Sequence, residues 1–406
     1  MPSHRVSAFV SPRSLRPLYS GHLGPADVRE IEKNRGKSMA VFPFTETVLT
    51  SDDKRTVYPV IEDIPVLLVP EMGSISRHEI VACNAIDPRY AEAYEEMGHY
   101  ESVAKKQLQG IRDSNAYLNL SGCVGLSEEE QLRFPKPHSR WLEATYDVRA
   151  QAQVFAYLAP ILGKEVVQIG GTGVHALRFL LAGARHAGLI TPMLGEARFA
   201  RALAIELGVS DRFSAAVGIF EECPLPDHSV DVVFSGGSLH HTITDLAFVE
   251  ARRILRPGGR LGCFDPWRAP FYRLAVKLLG KREPGVFCRP LENERLRYLS
   301  KCFGETQVKL HGALTRYPLL ALQKLGIDFT TDGGSGYSRV VDAIMAADDA
   351  LSSLVPPLRL FASSVSVCAT QSLGTKNADE TTCVDLSSQI SEYSSTYHRS
   401  TKQYGA

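Results

Sequence analysis

The 406-residue chain lacks a net charge: Lys and Arg number 45, and so do Asp and Glu. This argues against a strong overall field drawing in nucleic acid or an anionic membrane, and no nucleic-acid partner is expected. Paired cysteines are also missing. The eight cysteines, at 83, 123, 223, 263, 288, 302, 368 and 383, include no Cys-x-x-Cys spacing. Zinc-ribbon and disulfide-scaffold readings are thereby disfavoured, no metal is expected, and a reducing compartment, read as cytoplasmic, fits. No run approaches the roughly 20 apolar residues of a membrane span. The first 26 residues contain Arg5, Arg13 and Arg16 but no acidic residue. That bias suits an unstructured tail, the preferred reading, or an organelle transit peptide as the alternative.

What is present is an ordinary globular balance, 44% hydrophobic and 22% charged, long enough for one large domain or two. The organising stretch runs from Glu165 to Pro266. It opens with a short apolar run that breaks into glycines, Glu165-Val-Val-Gln-Ile-Gly-Gly-Thr-Gly173, before a helical pattern over Val174–Ala184. Glycines let a backbone pass close to a ligand, and a helix start offers free N–H groups. Ordinary turn chemistry after a buried strand reads the same way. Strands are expected at Val166–Ile169, Ala187–Ile190, Phe213–Val217, Val230–Ser235 and Arg260–Phe264, with helices at Gly195–Glu206 and Asp245–Leu255 between them. This alternation predicts an α/β fold with a parallel sheet covered on both faces, binding ligands at the strands' carboxyl ends.

Beyond the glycine loop come Pro224-Leu-Pro-Asp227, then Ser229-Val-Asp-Val-Val-Phe-Ser235, then Gly236-Gly-Ser-Leu-His-His241, then Arg256-Pro-Gly-Gly259. In order and spacing this resembles the class I S-adenosylmethionine-dependent methyltransferases, particularly the ubiquinone and menaquinone methyltransferase branch. The resemblance covers about Val166 to Pro266. It implies a Rossmann-like, seven-stranded, mostly parallel sheet closed by an antiparallel strand, here Ser363–Thr370 beside Glu305–Leu310. It also implies S-adenosyl-L-methionine as cofactor and a small molecule as methyl acceptor, with the acceptor atom open.

The same resemblance nominates a site. Gly170, Gly171 and Gly173 approach the cofactor's amino-acid end, with Thr172 adding a hydroxyl; Ser235 and Gly236 end the fourth core strand beside them. Three usual acidic anchors are replaced, by Gln168, by Ile190 or Thr191, and by Ile219. Such charge-assisted bonds contribute about 1.5–3 kcal/mol each. Glu196 is the nearest carboxylate for the ribose; Glu221 or Glu222 is nearest for the adenine, with Phe220 flanking its ring. His240 and His241 are the catalytic candidates, since an imidazole titrates near working pH; capping or packing is the plainer role for either. Asp265 and Trp267 stand at the pocket rim, and Arg289 and Arg316 are candidates for an anionic substrate.

Outside the core, residues 1–36 and 372–406 are expected as disordered tails. Residues 37–75 form a small β segment, in which Val57-Tyr-Pro-Val-Ile-Glu-Asp-Ile-Pro-Val-Leu-Leu-Val-Pro70 resembles the Trm112-like module without its cysteines; Asp63 stands where that pattern has glycine. A helical lid or linker occupies 76–140, with a helix at Pro88–Gln109; a second helix, Trp141–Leu162, leads into the core. The methyltransferase-like domain spans 141–371, with a helix at Pro270–Leu279. Its helical insertion at about 312–360 holds Tyr317–Leu325 and Arg339–Leu354 around the joint Gly333-Gly-Ser-Gly336, and caps a pocket or makes a homodimer contact. Two readings stay open: a methyltransferase, or a methyltransferase-like domain serving as a binding or regulatory subunit or doing other chemistry in the same pocket.

Overall fold

The computed structural model describes residues 9–12, 15–22, 24–26, 29, 47–51, 57–67, 102–129, 148–270, 290–313 and 335–372. The expected helix at Pro270–Leu279 beyond its first residue and that at Tyr317–Leu325, together with Arg289 and Arg316, lie outside these residues. So do the first residues of the expected helices at Pro88 and Trp141; helical backbone is described at 102–109 and in Val148–Leu158.

Seven strands form the main sheet: β5 (Glu165–Ile169), β6 (His186–Thr191), β7 (Phe213–Val217), β8 (Val230–Gly236), β9 (Leu255–Pro266), β10 (Glu305–His311) and β11 (Ser364–Thr370). Their order is β10-β11-β9-β8-β5-β6-β7. The five from β9 through β7 run parallel, while β11 pairs antiparallel with both β9 and β10. This is the expected mostly parallel, Rossmann-like sheet with an antiparallel closing strand. The central strands read as continuous apolar runs because both their faces are covered. Val166, Val232, Phe234 and Phe264 face a core layer with α2 (Val148–Leu158), α3 (Val174–Leu181) and part of α4 (Leu194–Glu206). Val167, Ile169, Val233 and Cys263 face a second layer with α5 (Thr244–Ile254). The first described labelled helix, α1 (Asn115–Ser121), contacts α3. A short helix, α6 (Leu299–Cys302), precedes β10, and α7 (Ser335–Leu354) lies between β10 and β11.

Several boundaries shift from expectation by a few residues, among them the helix expected to run to Leu162, which ends at Leu158 ahead of Pro160, and two further shifts have a clear physical reason. Strand β9 begins at Leu255, five residues early, because Arg256-Pro-Gly-Gly259 bulges out between the pairs Val230–Leu255 and Val232–Arg260 without ending the ladder. Helix α7 begins at Ser335, so Gly336 is helical and not part of a flexible joint; a glycine in the first turn of a 20-residue helix is tolerated because the rest of the helix propagates.

The expected disordered tail at 1–36 is corrected over its middle. Leu18–His22 is strand β1 of a four-stranded sheet with β2 (Thr47–Ser51), β3 (Val57–Ile61) and β4 (Ile64–Pro65). Its own sequence hides it: of the five residues only Leu18 is buried, and the partner strand lies some 25 residues downstream. The small sheet is tied to the edge of the large one. Val66 bridges Val217 in parallel, the Leu67 N–H donates to the Val217 carbonyl at 2.8 Å, and the Val10 N–H donates to that of Pro224 at 3.0 Å. Phe9, Leu18, Leu49, Tyr58 and Leu67 join the same buried cluster as Ile190 and Phe220, each contributing about 1.5–3 kcal/mol of burial.

Candidate functional site

The glycine loop leaves β5 at its carboxyl end. Gly170, Gly171 and Gly173 all have φ near +70°, a conformation costly for residues with a Cβ. They do not share one role. A Cβ at Gly170 would fall 2.5 Å from the Cβ and Oγ of Ser238, and one at Gly173 would fall 2.6 Å from Ala200 Cβ. These two glycines therefore let the loop close onto β8's exit and onto α4. At Gly171 a Cβ would meet only Gln168 Nε2 at 3.4 Å, so this glycine presents an open backbone. Gly237, which the sequence reading passed over, is the counterpart on the neighbouring strand exit: φ is +68° and nothing lies within 4 Å of its Cβ position. Thr172 is half-buried.

Gln168 holds the loop's shape. Its buried amide Nε2 donates to the Gly170 carbonyl at 2.8 Å, and its Oε1 accepts the Ala176 N–H of α3 at 2.7 Å. The neutral amide thus satisfies one loop acceptor and one of the helix's early N–H groups.

At the end of β6, the Thr191 hydroxyl donates to Glu196 Oε2 at 2.5 Å and accepts the Met193 N–H at 3.3 Å. Glu196 is buried on the first turn of α4, one turn before Ala200, which touches Gly173. A carboxylate is therefore brought back to the strand end beside the glycine loop. Ile190 and Ile219 instead pack into the core; Ile219 meets the small sheet's Ile61, Ile64 and Val66. Phe220 is 2% exposed within that core, so it does not offer a free ring face. Glu221 points elsewhere than expected: its Oε1 accepts the Ile243 N–H at 2.7 Å, at the start of α5, where a carboxylate complements unpaired N–H groups and the helix dipole. Glu222 is buried beside it.

On β8 and β9 the strand ends bring together residues 25 apart in sequence. His240 Nδ1 lies 2.8 Å from Asp265 Oδ1, which also accepts the His240 backbone N–H at 3.0 Å. Asp265 is 1% and His240 6% exposed. The His241 ring sits 3.9 Å from that of His240, centroid to centroid. Arg295 fixes this turn from behind, donating to the carbonyls of His240 (3.0 Å) and Thr242 (2.7 Å). No local pattern marks Arg295 in the sequence. Trp267 is buried and bridges Leu291, so its role is packing. Ser235 is fully buried at the end of β8, and Gly236 is held by the rings of Phe264 and Phe234, within 3.2 Å of a Cβ there. The thiols are poor nucleophiles: burial pushes Cys223 and Cys368 up to about 12.

Residues 169–263 match the methyltransferase-domain family. The ubiquinone/menaquinone biosynthesis C-methyltransferase of Acidiphilium cryptum is 37% identical over 110 residues, which is 26% of this chain and 41% of that protein. The chain spans between 26% and 41% of the length of the curated relatives it matches. Among solved structures, the [4+2]-cyclase SpnF has a TM-score of 0.40 at 21% identity, covering 58% of this chain and 84% of that one. Geranyl diphosphate C-methyltransferase from Streptomyces coelicolor has a TM-score of 0.39 at 16% identity, covering 55% and 79%. Among the described residues no helix is long and apolar enough to cross a membrane.

Proposed function

We propose that this chain, which carries a methyltransferase domain at residues 169–263, transfers the methyl group of S-adenosylmethionine to a small-molecule acceptor. The observation that carries the reading is the open backbone of Gly171 facing the strand ends, with the Thr191–Glu196 pair on one side and the His240–Asp265 pair on the other.

The residues present fit the cofactor. Gly171 and Gly173 lead into the start of α3, whose N–H groups suit a carboxylate. Glu196, with Thr191, accepts the hydroxyls of a ribose; it replaces an acid at the strand end by one reaching back from the next helix. Gln168 is committed to the loop, so the ammonium end gains no side-chain charge there. When bound, S-adenosylmethionine supplies a methyl group already activated on sulfonium, and what remains for the protein is positioning and proton removal. His240 is the proton acceptor. Asp265 accepts the Nδ1 proton, which leaves Nε2 as the basic nitrogen toward the acceptor.

Calorimetric titration with S-adenosylmethionine and S-adenosylhomocysteine tests this reading. Micromolar binding that is lost in Glu196→Ala supports it. An absence of heat at millimolar cofactor would sink it and favour a domain that has kept the fold without the transfer.

A further inference from the structure

The seven-stranded sheet has two outer strands, β7 and β10, and the chain treats them differently. At β7 it covers its own edge: Val66 bridges Val217, and the Leu67 N–H donates to the Val217 carbonyl. Strand β10 pairs with β11 alone, so among the described residues its other edge meets no strand. A row of unpaired N–H and C=O groups recruits another strand, and edges are usually guarded by shortness, a bulge, a proline or a lysine. Strand β10 is seven residues long, Glu-Thr-Gln-Val-Lys-Leu-His, contains no proline, pairs with β11 in unbroken register and is exposed from Glu305 to Lys309. Its one guard is Lys309. Contacts with α2 fix which residues share a face. Gln153 donates to Gln307 Oε1 at 3.0 Å and accepts from Lys309 Nζ at 3.1 Å. Glu305, Gln307 and Lys309 therefore line the face toward α2, and Thr306 and Val308 line the opposite one. Gln153 takes only one of the three donors of the Lys309 ammonium.

We propose that β10 is the interface with a second copy of this chain, the two strands pairing antiparallel about a two-fold axis at Gln307. In that register Glu305 of each copy lies opposite the partner's Lys309, Gln307 lies opposite its counterpart, and Thr306 lies opposite the partner's Val308. Directly opposed residues are the closest cross-strand neighbours, so the pairing gains two opposite-charge pairs on one face and two β-branched pairs on the other. Val308, 42% exposed in the single chain, is covered by it. The guard at Lys309 is thereby answered by a carboxylate that only a strand of this sequence, in this register, brings to it. Moving the axis to Val308 sets Lys309 opposite Gln307 and Glu305 opposite His311, and both charge pairs are lost. Charge complementarity thus selects the occupant and the register together. The inference goes beyond the methyltransferase reading and does not depend on it.

Sedimentation equilibrium of the full chain, from about 1 to about 100 μM in about 0.1 M salt, tests this. A reversible monomer–dimer equilibrium is expected. Glu305→Lys and Lys309→Glu each set like charges opposite one another twice, and each should weaken the dimer by about tenfold or more. Both side chains are exposed, so both variants should fold and keep the wild-type unfolding temperature when dilute. The deciding sample is an equimolar mixture of the two variants. In a mixed pair every opposed charge again meets its opposite, so the mixture should associate to within about threefold of wild type although neither variant does so alone. A wild type that stays monomeric would overturn the proposal and leave the edge to the strand of a different protein. A dimer that both variants leave unchanged would also overturn it, by placing the contact on another surface. So would a mixture that associates no more tightly than its two components.

Discussion

Asp265 Oδ1 accepts from His240 twice, from the ring Nδ1 at 2.8 Å and from the backbone N–H at 3.0 Å. One oxygen thus sets both the position of the turn and the orientation of the imidazole. The arrangement predicts a separation of effects. Asp265→Asn should lower methyl transfer by about a hundredfold, the lower range for a general base, while S-adenosylhomocysteine affinity stays within about threefold. His240→Ala should match it, and the double variant should lose little more, because the two act as a unit. Additive losses in single-turnover assays would show that they act separately.

Gln168 yields a prediction opposite to a family-based repair. Gln168→Glu would restore the usual acid but place a carboxylate oxygen against the Gly170 carbonyl, where Nε2 now donates. Stability should fall by about 1–3 kcal/mol in urea titration at neutral pH. An unchanged or higher midpoint would mean the loop does not depend on that donor.

Two of the loop glycines, Gly173 and Gly171, should separate cleanly. Gly173→Ala puts a Cβ 2.6 Å from Ala200 at φ +75° and should cost about 2–3 kcal/mol. Gly171→Ala meets no such neighbour and should cost only about 1 kcal/mol for its φ of +72°. Its effect should appear instead as weaker cofactor binding. The reverse ranking in paired unfolding and calorimetric measurements would move the open backbone away from Gly171.

Stability should drop below neutral pH. Burial lowers the pKa of His175 to about 3 and of His311 to about 4, against about 6.5 when unfolded. Between those limits the unfolded chain holds more protons than the folded one. Stability is therefore fully present above about pH 6.5 and declines as pH falls toward 4 and then 3. At pH 5 each histidine removes up to about 2 kcal/mol. His311→Gln, which keeps a partner for Ser366 Oγ at 2.8 Å, should flatten part of this decline. Parallel pH profiles for wild type and variant would refute the assignment.

What could be read along the chain was whatever depends on near neighbours. The apolar runs Val166–Ile169 and Val230–Ser235 with the helices between them dictate a buried parallel sheet, and the bunched glycines after Ile169 dictate positive φ. Tertiary structure alone decided what each polar group faces. The sequence offers Glu196 to a ribose and Glu221 to an adenine, yet Glu221 meets the start of α5 while Glu196 meets the end of β6. Asp265 and His240 meet only because β8 and β9 end side by side, and Leu18–His22 becomes a strand only because Thr47–Ser51 lies against it. Helix and strand periodicity arise from local sterics and burial, so they repeat within a few residues. A side-chain hydrogen bond is set by the sub-ångström meeting of distant segments, and no local pattern records it.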